Sequence, residues 1–197
     1  DYPPKVTITC ESNYGVNTNY RSDSHELGRF GQGSIDLQYG NLMFESEDFA
    51  WGGSRMPVTI KHLYNSLLYN QQYTAKSSIG LNTAEFGAMK LGLGFKLNIM
   101  QSMVEVIGEN KYIYTGESGE ELYFMPTNDE NIYKTSEEDG ELEYNDSTRI
   151  LDNGDKYLFD ENGRLIKITD GDNENNAIEI VYTDNKLTAV KDAVNRV

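Results

Sequence analysis

Few residues in this 197-residue chain are of types that do chemistry on their own. It has two histidines, His25 and His62, and one cysteine, Cys10. Neither histidine has a companion at metal-ligand spacing, and Cys10 lies in a different context from both. His62 stands among apolar neighbours in a predicted strand, so it is read as a satisfied histidine of a core or interface. Gly92-x-Gly94 lacks the third glycine of a dinucleotide fingerprint, and no acid follows in a βαβ setting; it is read as a turn. Asp170-Gly171-Asp172-Asn173-Glu174-Asn175 resembles the opening of a calcium loop. Its sixth position is Asn175 instead of Gly and its twelfth is Val181 instead of Glu, which excludes an EF-hand and leaves a looser oxygen site as the alternative. The expectation is weak or absent calcium dependence.

A Ser-His-Asp or Cys-His site needs a nucleophile and base brought together by folding, and no strand-to-helix nucleophile elbow is visible. The 32 acids offer many carboxylate pairs for glycoside hydrolysis, but no apolar pocket marks one of them. The residues therefore predict no catalytic group, no metal ligand and no cofactor. Trp51 and the tyrosines have faces that stack on sugars; in alternating strands such rings are more often core or cross-strand partners. Asn145-Asp146-Ser147, a single glycosylation triplet, carries no weight.

The elements that would position these residues read as strands. Tyrosine outnumbers phenylalanine 14 to 7, which suits half-buried strands whose rings pack while their hydroxyls reach water. No apolar run of about 18 residues exists, so no membrane span is expected. The start, Asp1-Tyr2-Pro3-Pro4-Lys5, has neither the basic start nor the apolar stretch of a signal peptide. One cysteine makes no intramolecular disulfide, so the fold rests on its core. The net charge of −15 is concentrated: residues 116–175 hold 18 acids and 5 bases. Acids so placed repel phosphate backbones, which argues against nucleic acid; the simpler reading is a solvated rim of hairpin turns, with cation binding as the alternative.

Residues 1–30 are polar and aperiodic apart from a β-like run at 5–9, and read as a connector or edge segment followed by loop. From 31 to 110 a β module is predicted. Ser34 to Tyr39 alternates, Gly40-Asn41 turns, and 42–46 continues. Trp51-Gly52-Gly53-Ser54 turns again before a strand over 56–64, in which Met56, Val58, Ile60, His62 and Tyr64 share a face and Pro57 argues for a sheet edge. Residues 67–90 hold at most a helical turn near 83–89. Phe95, Leu97 and Ile99 alternate on one side, and the switch to Val104 and Val106 predicts a bulge or bend. From 111 to 197 short strands and turns succeed one another as hairpins, at Gly116–Gly119 and at 138–140 among others. No helical stripe competes, so the predicted class is all-β, an antiparallel hairpin-repeat sheet.

Within 151–197 one pattern occurs twice, as Leu165-x-x-Ile168-x-Asp170 and Leu187-x-x-Val190-x-Asp192, offset by 22 residues at all three anchors. Such a period denotes one supersecondary unit per repeat. Each copy follows an aromatic-bearing strand, ending at Phe159 and Tyr182, and a turn-rich run. The spacing of three within each copy departs from simple alternation; a bulge in each copy would account for it.

These words, DNGDKYLFDENGRLIKITD, the Tyr182 before a turn, and DAVNRV, resemble the RHS or YD repeat of large bacterial surface and toxin-delivery proteins. The second copy reads Asp192-Ala193-Val194-Asn195-Arg196, without the Gly of the usual D-x-x-G-R ending. GSIDLQYGNLMFESEDFAWGGSRMPVTIKHLYNS is similar to the module that introduces RHS shells, through Gly40-Asn41, Glu47-Asp48, Gly52-Gly53 and Tyr64-Asn65-Ser66, with His62 where Arg is usual. The resemblance covers about residues 31 to 197. It implies a piece of a longer protein: the start of an RHS-type β-cocoon, secreted or at the bacterial cell surface, which encloses and delivers a C-terminal toxin domain. The fragment itself would be non-catalytic and structural, with the remainder of its own shell and the enclosed toxin domain as partners. The alternative is a carbohydrate-binding β module of a cell-wall-associated protein, marked by aromatics on a solvent face. An enzyme would need a cleft with two carboxylates.

Overall fold

The computed structural model describes residues 22–37, 40–52, 56–69, 91–92, 94–106, 108–135, 141–144, 149–152, 154–184 and 186–197. The expected strand at 5–9, helical turn at 83–89 and hairpin turn at 138–140, with Cys10 and Asn145-Asp146-Ser147, lie outside them. The fold is all-β and antiparallel, and among the described residues no sheet is closed into a barrel. Among the described residues the helical pieces are a 3-10 turn at Gly28–Phe30 and one turn, α1, at Ser66–Tyr69. No helix among them is long and apolar enough to cross a membrane.

A first sheet takes its five strands in chain order: β1 (Ser22–Glu26), β2 (Gln32–Asp36), β3 (Leu42–Trp51), β4 (Val58–Asn65) and β5 (Phe95–Leu97). β3 is longer than the sequence suggested, because Asp48 is an extra residue between the pairs Glu47↔Lys61 and Phe49↔Ile60. That bulge keeps the strand paired through an acidic stretch that breaks the alternation. β4 is not an edge: it pairs with β3 and with β5. Pro57, which has no N–H to give, precedes the first pair, Trp51↔Val58, and so costs the ladder nothing.

The remaining ten strands form a ladder, also in chain order: β6 (Ser102–Val106), β7 (Lys111–Thr115), β8 (Glu121–Pro126), β9 (Ile132–Lys134), β10 (Glu141–Tyr144), β11 (Arg149–Asp152), β12 (Lys156–Phe159), β13 (Leu165–Asp170), β14 (Asn173–Thr183) and β15 (Lys186–Lys191). Only the pairs Met125↔Lys134 and Pro126↔Tyr133 join β8 to β9, so the ladder also divides there into three strands and seven. The apolar switch near residue 101 proves to be a change of sheet and not a bulge. Asn98 to Gln101 carries the chain from β5 to β6, whose two faces need not continue those of β5.

The repeat spacing has the expected physical cause. Leu158 pairs with Lys167 and Phe159 with Leu165, which makes Ile166 an extra residue in β13. Val181 pairs with Ala189 and Tyr182 with Leu187, which makes Thr188 extra in β15. The two bulges are thus 22 residues apart and turn Leu165 and Ile168, like Leu187 and Val190, to compatible faces.

The ladder curls until the outer edge of β6 meets the turn before β13. Met103 N donates to Gly163 O at 2.8 Å and Leu165 N to Gln101 O at 3.1 Å. Inside the curl Met103, Tyr112, Tyr114, Leu122, Phe124, Phe159, Leu165 and Ile180 form the main core. Tyr114 is more deeply placed than a wetted tyrosine, and its hydroxyl donates to Gln101 Oε1 at 2.6 Å in the interior. Phe124 and Phe159 are wholly buried. Each ring contributes roughly 2–3 kcal/mol, several times an exposed ion pair such as Lys156–Glu174, so packing rather than surface charge holds the ladder.

Candidate functional site

The residues that stand out are those that lock the two sheets together. Asn41, at the turn between β2 and β3, and Asn65, at the end of β4, are essentially fully buried. A buried amide must find partners, and both do. Asn41 Oδ1 accepts from Ser66 Oγ at 2.9 Å and from Leu67 N at 3.3 Å, while Ser66 Oγ accepts from Leu42 N at 2.9 Å. Asn65 Oδ1 accepts from Leu67 N at 3.0 Å, capping the single turn of α1. Asn65 N donates to Gly94 O at 2.9 Å, and Asn65 Nδ2 reaches Ser118 O at 3.3 Å in the β7–β8 loop. Gly40-Asn41 and Tyr64-Asn65-Ser66, separate words in the sequence, are therefore one junction.

The β7–β8 loop is shaped for this contact. Glu120 Oε2 accepts from Ser118 N at 2.8 Å and Ser118 Oγ at 2.7 Å, which holds the loop closed. Lys96 Nζ donates to Gly116 O. Lys61 Nζ lies 2.7 Å from Glu45 Oε1 and 3.6 Å from Glu117 Oε1. The hydrogen bond that Lys61 donates to Glu45, outweighing partial burial, raises the Lys61 pKa above the ordinary lysine value. Ser118 and Glu120 were legible in the sequence only as part of a Gly-flanked turn.

On the opposite face of the first sheet, the register aligns Trp51, Val58, Ile60 and Leu97. Here Leu187 and Val190 of β15 pack with Ile60, Leu97, Ile99 and Met100. The first sheet is thus gripped from both faces by the ladder. Further along that second face Ile35, Leu42, Phe44, Tyr64 and Phe95 stand across neighbouring strands. Ile35, Leu42 and Phe95 are exposed, and the Tyr64 and Phe95 rings lie 5.0 Å apart. Most other aromatics of the ladder face its core.

Among the described residues, the histidines, the Gly92–Gly94 turn and the acidic loop at 170–175 lie apart. His62 is satisfied by Asp48: Nδ1 contacts the Asp48 carboxylate, which the β3 bulge delivers, at a half-exposed place on the face it shares with Ile60 and Leu97. Ser46 stands opposite His62 in the register, while the His62 ring is engaged by Asp48. His25 is an exposed side chain on β1, 3.6 Å from Asp23. Gly92 and Gly94 form the turn into β5, with Phe95 N donating to Gly92 O at 3.3 Å.

In the calcium-like loop the side chains act as turn caps. Asp170 Oδ1 accepts from Asp172 N at 2.9 Å, Asp170 Oδ2 accepts from Asn176 Nδ2 at 2.8 Å, and Asn173 Oδ1 accepts from Asn175 N at 3.2 Å. Among the described residues no three His, Cys, Asp or Glu side chains converge as a metal site requires. An open groove of about 400 Å³ over β12–β14 has Leu158, Ile166 and Val181 along it and charged pairs at its rim. In comparisons with known proteins, the chain matches no protein-family model and no curated sequence.

Proposed function

We propose that this chain is the introductory module and first repeats of an RHS/YD-repeat shell, a non-catalytic scaffold that encloses and delivers a toxin domain at the bacterial surface. The observation that carries the reading is the hairpin that recurs with the same bulge after 22 residues. A unit of this kind extends a sheet by adding copies of itself, and β15 stands at the end of the strand order, where a further copy would add. The junction at Asn41 and Asn65 supports the same reading, since it anchors the first hairpins of the ladder to a sheet of different make. The partners are the remainder of the shell and the enclosed domain. Limited proteolysis of the natural polypeptide tests this: an enclosed domain resists protease until the shell is unfolded. A downstream domain digested as readily as a free one would overturn the proposal.

A second reading, a carbohydrate-binding module, is favoured by the row of Phe44, Tyr64 and Phe95 with Ile35 and Leu42 on an outer face. Rings on a flat solvated sheet suit the apolar faces of sugars. A glycan array comparing the intact chain with Phe95→Ala decides it. Binding lost in the variant favours this module, and no binding by the intact chain removes it.

A further inference from the structure

The chain's last residues leave the ladder and return to the first sheet. Asp192–Arg196 repeats the turn of Asp160–Arg164 almost bond for bond. Asp160 Oδ1 accepts from Asn162 N and Arg164 N at 3.0 and 2.8 Å, and Asp192 Oδ1 from Val194 N and Arg196 N at 3.1 and 2.8 Å. Each Oδ2 takes the arginine Nε, at 2.8 and 2.5 Å. The fourth residue is left-handed in both, Gly163 at φ 78° and Asn195 at φ 61°. Asparagine tolerates that conformation better than most residues, so the missing glycine of the second copy is replaced in kind.

The turns differ in what the guanidinium covers. Arg164 lies 4.6 Å over the Tyr182 ring, within its own ladder. Arg196 lies 4.3 Å over Trp51, at the end of β3 in the other sheet. Asp192 is buried, yet Val194, inside the same turn, is 62% exposed. The attachment is therefore a polar clasp with a stacked cation, and it buries little apolar surface of its own. Contacts of that kind belong to the least stable part of a fold and open before the core does. We propose that residues 192–197 are a detachable strap: the Asp192–Arg196 turn closes on and leaves Trp51 as a unit while both sheets stay folded. Opening turns the Phe49–Trp51 edge pair, whose ring centres are 5.9 Å apart, toward solvent.

Trp51 is the chain's one tryptophan, so its fluorescence reports the place on β3 where the strap lies. The test follows urea unfolding of the intact chain by Trp fluorescence and by far-UV circular dichroism, and acrylamide quenching in Arg196→Ala. The strap predicts that the fluorescence transition precedes the circular-dichroism transition. It also predicts that R196A is quenched roughly twofold more readily with an unchanged dichroism spectrum. Coincident transitions in the intact chain would overturn the proposal, because the clasp would then belong to the single cooperative fold. So would unchanged quenching in R196A, or loss of its folded spectrum, since a detachable strap is not needed for folding.

Discussion

Gly163→Ala tests how the curled ladder is held. Gly163 has φ 78°, and its carbonyl accepts from Met103 N across the gap between β6 and the β12–β13 turn. A Cβ there would collide with the Met103 carbonyl oxygen and stand 2.8 Å from Val104 Cγ1. Left-handed backbone costs an alanine about 1–2 kcal/mol. The backbone oxygen cannot rotate away, so the edge must part, and the Met103–Gly163 and Leu165–Gln101 bonds add about 1 kcal/mol each. The total is about 3–4 kcal/mol, a large share of the roughly 5–15 kcal/mol that holds a domain, and lowers the melting temperature by roughly 6–16 °C at this chain length. Gly108→Ala is the control. Its φ is 83°, nothing lies within 4 Å of the added carbon, and it carries the strain alone. Urea denaturation of both variants isolates the closure as a difference of about 2 kcal/mol. Equal losses in the two variants would show that the β6 edge contributes nothing and that the curl is not held there.

Asn65→Ala should cost about 2–3 kcal/mol by calorimetry, because it strips partners from buried groups at the junction; a loss under about 0.5 kcal/mol would mean the two sheets do not depend on it. Burial opposes ionisation of Asp192, but the hydrogen bonds from Arg196 and Val194 and the Arg196 charge outweigh it and hold the carboxyl below its ordinary value of 3.8. The stabilisation is therefore complete above that value and is lost as pH falls below it toward the folded pKa; Asp192→Asn should flatten the acid limb of the melting profile, and parallel limbs would contradict this. In hydrogen exchange on a dilute, monomeric sample, amides of 187–191 should exchange faster than those of 178–182, because among the described residues β14 is paired on both sides and β15 on one. Equal protection would count against an extendable edge.

What the sequence disclosed follows from which forces leave a mark in it. The hairpins of the ladder were legible because turns need Gly, Asn and Asp and buried faces need alternation; the repeated spacing of three pointed to a bulge in each copy, and only the register places these at Ile166 and Thr188. β1 lies in the stretch 1–30 that reads as a connector or edge segment followed by loop, because Ser22–Glu26 is exposed throughout and is held by backbone pairing with β2, which asks nothing of side-chain type. His62 reads as a satisfied histidine of a core or interface beside Val58 and Ile60, but the carboxylate that satisfies it comes from the bulge at Asp48, and bulges on a partner strand are invisible from the strand itself. The junction is the clearest loss. Asn41 and Asn65 could be named as words of a motif, but their meeting with Ser118 is set by how the sheets pack, at separations no local pattern encodes.

The central claim is that this chain begins a sheet made to be extended. The most direct measurement is electron cryo-microscopy of the natural polypeptide that carries residues 1–197. The proposed function predicts a further hairpin paired to the outer side of β15, with the ladder continuing into a hollow shell around another domain. A map in which no strand pairs with β15, and in which these residues stand apart from whatever accompanies them, would contradict it.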